Sequence, residues 1–114
     1  MGFKKFLGHR EVLDSDFWRA SFAEAIVTTI YIFIVCGQSI PVNPDLELTR
    51  LHGSLTVAFS VACLASAFWE ISGGHFNPAV SLALLLLGKI SLTRFISYLI
   101  FQCAGSMFIV YHFF

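Results

Sequence analysis

Asn77 is the residue of this sequence that best fits a site for a small polar molecule, because two glycines and a histidine precede it and a proline follows it. The stretch runs Ser-Gly-Gly-His-Phe-Asn-Pro-Ala-Val over residues 72–80. Proline is favoured at the first position of a helix, where its missing N–H costs nothing, so Asn77 falls at the N-cap. The glycines let the backbone turn sharply on entry. An ordinary helix cap and a solute-binding amide both fit these residues.

Pro78 begins a helix that is too short to cross a bilayer. About ten residues, 78–87, at about 1.5 Å each give ~15 Å, half of the ~30 Å hydrocarbon core. A loop that enters such a half-helix, in so apolar a chain, predicts irregular backbone lining a polar path at membrane depth. The N-terminus of that helix concentrates free N–H groups and roughly half a positive charge, which repels cations.

Two ionisable side chains also fall within or beside apolar stretches. An intramembrane carboxylate such as Glu24 is costly and indicates a functional or structural role, and no relay partner for proton transfer is evident. His75 has no second ligand at metal-binding spacing, so we favour a role in holding the loop by hydrogen bonds, with the carbonyl groups of residues 73–75 facing the path. The sequence predicts no catalytic residue, no metal site and no cofactor. We therefore expect that the chain is not an enzyme.

The composition is that of a membrane protein. Hydrophobic residues make up 57% of the 114 residues, charged ones 12%, and the net charge is zero, so a nucleic-acid partner is not expected. Apolar runs predict spans at about 17–37, 51–69 and 93–114, with residues 1–16 as a tail that is either an interfacial helix or disordered. The second span is rich in serine and alanine, which predicts close helix packing. The expected fold class is all-α: three transmembrane helices plus one re-entrant half-helix.

The distribution of positive charge predicts the orientation in the membrane. Cationic residues flank the first and third spans: Lys4, Lys5, Arg10, Arg19, Lys89 and Arg94. The loop between the first two spans carries only Arg50. Because cytoplasmic loops carry the excess of lysine and arginine, we expect a cytoplasmic N-terminus in an integral protein of the plasma membrane.

Residues 73–80 resemble the first signature loop of the aquaporin (major intrinsic protein) family, usually Ser-Gly-x-His-x-Asn-Pro-Ala-Val. Residues 17–24, Phe-Trp-Arg-Ala-Ser-Phe-Ala-Glu, resemble the opening of the family's first helix, and Gln102 and Gly105 match its third. The resemblance implies that Glu24 accepts hydrogen bonds from the loop backbone, with Gln102 as further support. It also implies a set of pore-lining residues: Gly73, Gly74, His75, Asn77, Pro78 and Ala79.

The resemblance further implies passive conduction of water, with small neutral solutes as additional candidates, by a homotetramer that excludes protons and ions. Family members contain two inverted repeats, and these residues contain one, so the chain is expected to be half a pore. Val57 stands where many water-selective relatives have an aromatic wall of the filter, which leaves selectivity between water and glycerol or urea open. A non-conducting interaction or adhesion protein that pairs with full-length relatives is the alternative.

Overall fold

The computed structural model describes residues 2–41, 43, 45, 47 and 49–114. The described residues form helices and no strand. In chain order these are α1 (Phe3–Leu7), a 3₁₀ helix (His9–Leu13), α2 (Ser15–Gly37), α3 (Arg50–Ser72), α4 (Pro78–Leu86) and α5 (Leu92–Phe113).

Three of these helices, α2, α3 and α5, are long and apolar enough to cross a membrane. By contrast, α4 has nine residues, which at about 1.5 Å per residue reach less than half of a hydrocarbon core of ~30 Å. The predicted fold class, three spanning helices and one half-helix, is confirmed.

Side-chain caps explain where the long helices begin. Asp14 accepts a hydrogen bond from the backbone N–H of Asp16 ahead of α2, and Thr49 caps α3 in the same way. Gly73, at φ +89°, ends α3 in the left-handed conformation that favours glycine. Because the terminating residue is Gly73, α3 runs to Ser72, beyond the span predicted to end at residue 69.

The first part of the chain is helical and lies against the start of α5. Thr93 Oγ1 donates to the carbonyl oxygen of Leu7 over 2.6 Å. Glu11 in the 3₁₀ helix pairs with Arg94. Two short helices, Phe3–Leu7 and His9–Leu13, thus occupy most of the tail, and its place at the membrane interface stays a prediction.

Helix α2 is central, since it packs against both α3 and α5, while α4 packs against α5. Close approach of α2 and α5 depends on Gly105, where an added Cβ would overlap the carbonyl oxygen of Ala25. Thr29 Oγ1 bridges the two helices, donating within α2 to Ala25 and contacting the carbonyl oxygen of Gly105 at 3.1 Å. Small residues and a hydroxyl therefore hold this helix pair together, as is common in membranes.

Candidate functional site

Glu24 is the centre of the polar network beneath the re-entrant loop and is fully buried. Its Oε1 accepts hydrogen bonds from Ser72 Oγ (2.6 Å) and the backbone N–H of His75 (3.0 Å). Its Oε2 accepts from the backbone N–H of Phe76 (2.6 Å) and from Gln102 Nε2 (2.7 Å). These four donors match the acceptor capacity of a carboxylate. Glu24 on α2 thus ties together the end of α3, the loop and α5.

Ser81 connects this network to the half-helix. Gln102 Nε2 also lies 3.1 Å from Ser81 Oγ, and a hydrogen bond of 3.0 Å joins the same hydroxyl to His75 Nδ1. The rings of His75 and Tyr98 meet edge to face at 5.0 Å between centroids. His75 is therefore held on both sides, and a hydrogen bond joins the loop to the second turn of α4.

The backbone of the re-entrant loop includes residues at positive φ. Gly73 and Gly74 have positive φ, and a Cβ at Gly74 would lie 3.0 Å from the carbonyl oxygen of Ala65 in α3. Phe76, with φ +29°, is the one described non-glycine residue at positive φ. Such a conformation persists only where its surroundings over-determine it. The hydrogen bond from the Phe76 N–H to Glu24 and packing of its ring on Tyr31, at 5.2 Å, supply that constraint.

Asn77 lies at the N-cap of α4. Its Oδ1 accepts from the backbone N–H of Ala79 over 2.9 Å, and Pro78 occupies the first turn. All three residues are exposed. The oxygen of the amide is thus engaged in the cap, while its Nδ2 donates to no other described residue. This arrangement leaves an N–H donor next to the positive end of a short helix.

Two cavities border the re-entrant loop. The first, which we call the Asn77 cavity, has a volume of about 260 Å³, and its lining includes Asn77, Pro78, Tyr31, Thr28 and Gln102. The second, which we call the N-terminal cavity, has a volume of about 450 Å³. It is lined by residues of the loop and of α5 and by residues that precede α2. Its lining includes Gly73 and His75. Of the predicted site residues, Gly73 and His75 thus line the N-terminal cavity and Asn77 and Pro78 line the Asn77 cavity, while Gly74 and Ala79 line neither.

Val57 is predicted as a site residue but lies on α3, outside the re-entrant loop and α4. It is half-buried on α3 and lines neither cavity. Conversely, sequence reasoning missed Tyr31, Ser72 and Ser81. Tyr31 follows Glu24 by seven residues, which puts both on one helix face and is a signal that could have found it. Among the described residues, no group of three histidines, cysteines or carboxylates could hold a metal ion.

The chain belongs to the major intrinsic protein family, since residues 11–112 match that family's model. Members of this family are membrane channels and not enzymes, so the family prediction and the expectation of no enzymatic activity are confirmed. Family membership and the three apolar helices together identify an integral membrane protein.

Similar curated proteins include aquaporin-1 of Rattus norvegicus, 39% identical over 103 residues, which cover 85% of this chain and 38% of the relative. Aquaporin-1 of Homo sapiens is 40% identical over 97 residues, covering 80% of this chain and 36% of the relative. "Neurogenic protein big brain" of Drosophila melanogaster is 35% identical over 99 residues, which cover 85% of this chain and 14% of the relative. The chain therefore spans less than two fifths of the length of these aquaporin-1 relatives.

Proposed function

We propose that these residues form one half of a channel pore that conducts water passively and excludes protons and ions. The observation that carries the proposal is the Asn77 cap. Its amide oxygen is bonded within the helix terminus and its Nδ2 has no partner among the described residues, at the border of an open cavity. The proposal also draws on the relatives named aquaporin-1.

Proton exclusion follows from the geometry at Asn77. A water molecule that accepts a hydrogen bond from Nδ2 turns both of its hydrogens away, which interrupts the chain of waters needed for proton hopping. The N-terminus of α4 carries a partial positive charge that repels cations. Exclusion by half-helix dipoles is an established device of aquaporin-type pores. The Glu24 network supports this function because it fixes where the half-helix terminus lies.

The pore is proposed to need a second half. The N-terminus of α4 faces a cavity with no opposing half-helix among the described residues, and the aquaporin-1 relatives are more than twice as long as the matched segment. A second repeat would supply the opposite wall, whether it follows on the same polypeptide or belongs to another. Four such complete pores, assembled as a tetramer, make up the proposed channel.

Val57 is proposed to face the filter once the second half is in place. Its side chain is half-buried on the exposed helix α3, and it is smaller than an aromatic residue. A filter with Val57 on one side is wider, so the proposed substrates include small neutral solutes such as glycerol or urea besides water. Proton exclusion is unaffected, because it depends on Asn77 and on α4.

The proposed orientation has a cytoplasmic N-terminus in the plasma membrane, on the basis of the lysine and arginine distribution. A membrane-impermeant thiol reagent applied to intact cells tests it. Asp45→Cys should be labelled from outside and Lys5→Cys only after the membrane is permeabilised. The reverse pattern would overturn the orientation and leave the channel proposal in place.

The channel proposal is tested with a chimera in which this chain replaces the aligned segment of rat aquaporin-1. In stopped-flow light scattering on proteoliposomes, the chimera should raise osmotic water permeability well above that of empty liposomes. The 114-residue chain alone should leave it near the empty-liposome level. A folded chimera that conducts no water would contradict the proposal. The non-conducting alternative is not proposed, because the relatives named aquaporin-1 favour a channel.

A further inference from the structure

The residues before α2 form a short strap that is packed onto the bundle. We call residues 2–13 the N-terminal strap. Besides the bond from Thr93 to Leu7, the strap touches α5 at Gly8, where an added Cβ would overlap the side chain of Ser91. Gly8 has φ +64°, so both its conformation and its close contact favour glycine. The strap is thus fitted to the start of α5.

An ion pair joins the N-terminal strap to α5. Glu11 Oε2 accepts from Arg94 Nε over 2.9 Å, with the two side chains 33% and 27% exposed. The guanidinium group also lies 5.7 Å from the centre of the Phe17 ring, which makes a cation–π contact. The nearby pair Arg19–Asp16 offers a useful contrast, since its side chains are 65% and 67% exposed. Exposed pairs of that kind contribute little.

The strap borders the same cavity as the re-entrant loop. Lys5 and Glu11 contribute to the lining of the N-terminal cavity from the strap side. Gly73 and His75 line it from the loop side, and Leu84 from α4. A molecule in the N-terminal cavity therefore lies beside both the loop and the strap.

We propose that the N-terminal strap is a cover over this cavity, latched by the Glu11–Arg94 pair. Its two helical elements have five residues each, too short to be stable away from the bundle. Asp14, in extended conformation, joins the strap to α2 and provides a pivot. Breaking the latch lets the strap swing away and widens access to the loop. Regulation of flow by this cover rests on the proposed channel function, whereas the opening itself does not.

The latch is tested on the full chain in liposomes by the reactivity of a thiol placed in the cavity. Leu84→Cys is introduced with Cys36, Cys63 and Cys103 changed to serine, and a small charged methanethiosulfonate reagent is applied from the N-terminal side. Adding Glu11→Gln should raise the labelling rate roughly fivefold, the order expected for a closed state that loses one partly buried ion pair. Asp16→Asn is the matched control, because it breaks the exposed pair and should leave the rate unchanged.

Charge reversal separates latch opening from general loosening. The double variant Glu11→Arg with Arg94→Glu should return the labelling rate towards that of the parent, since it restores the pair with opposite polarity. An equal rate in the parent and Glu11→Gln overturns the proposal, as does an equal increase with Asp16→Asn or no recovery in the reversal. Labelling requires no water conduction, so failure here is distinguishable from failure of the channel proposal.

Discussion

Helices α2 and α3 have the same length and similar apolarity, yet they are buried to different extents. Of the most apolar 18-residue window, 33% is buried in α2 and 6% in α3. Hydrophobicity does not account for the difference, since both helices are apolar enough to span a membrane. What differs is the position of polar and small residues that engage neighbouring elements. Packing between helices in lipid is decided by such residues.

On α2, Glu24 fixes the loop and Ala25 and Thr29 meet Gly105 of α5. On α3, the serines at 60 and 72 are its only buried residues, and one close contact is that of Ala65 with Gly74. Helices α2 and α5 and the loop thus pack against one another within this chain. The exposed surface of α3 is left for lipid or for the proposed second half.

The largest expected effect comes from removing the centre of the packed unit. Glu24→Ala deprives four donors of their acceptor, and each unpaired buried group costs roughly 1–3 kcal/mol, so we expect a loss of about 4 kcal/mol or more in the free energy of unfolding. Glu24→Gln should be milder, because its carbonyl oxygen still accepts. Thermal unfolding in detergent measures both. If both variants unfold like the parent, Glu24 does not hold the loop.

A smaller loss is expected from separating α2 and α5. Gly105→Ala forces a Cβ against the Ala25 carbonyl, and overpacking of this kind costs about 1–3 kcal/mol. Gly37→Ala is the control, since a Cβ there meets nothing within 4 Å. The same unfolding assay should show a lower melting temperature for Gly105→Ala only. Equal behaviour of the two variants would mean that the helix contact at Gly105 is not tight.

On α3, a substitution should alter selectivity and leave stability nearly unchanged. Val57→Phe in the aquaporin-1 chimera should reduce glycerol and urea flux more than water flux, because the larger ring narrows the proposed filter. Stopped-flow measurements with water, glycerol and urea gradients give the ratio. An unchanged ratio of solute flux to water flux would mean that Val57 does not line the filter.

The smallest effect is expected at Phe59, which is 65% exposed on α3. Phe59→Ala should change the free energy of unfolding in detergent by no more than about 0.5 kcal/mol. Phe17→Ala is the matched contrast, because Phe17 is 2% exposed and truncating a buried phenylalanine typically costs about 3–5 kcal/mol. Similar losses at the two positions would show that α3 packs more tightly than its exposure suggests.

Local signals made most of the fold predictable. Runs of apolar residues indicated the spanning helices, and the Asn77-Pro78 step indicated the start of the half-helix. Among the serines and alanines of the predicted second span, Ser60 is buried and Ala65 lies against Gly74, while the others are exposed. Close packing of that exposed surface stays a prediction. Contacts between distant residues left no local pattern: Glu11 and Arg94 are 83 positions apart, and Gln102 is 21 from Ser81. Such pairs become evident only when the helices are placed in space.

The proposed function requires that a pore containing the half-helix capped by Asn77 pass water and not protons. Its most direct test is a proteoliposome assay on the aquaporin-1 chimera with a pH-sensitive dye inside. An osmotic step and a pH step are applied in separate runs. We expect rapid water flow in the first run and, in the second, a pH gradient that decays as slowly as in empty liposomes. A pH gradient that collapses through the chimera while water flows would contradict it.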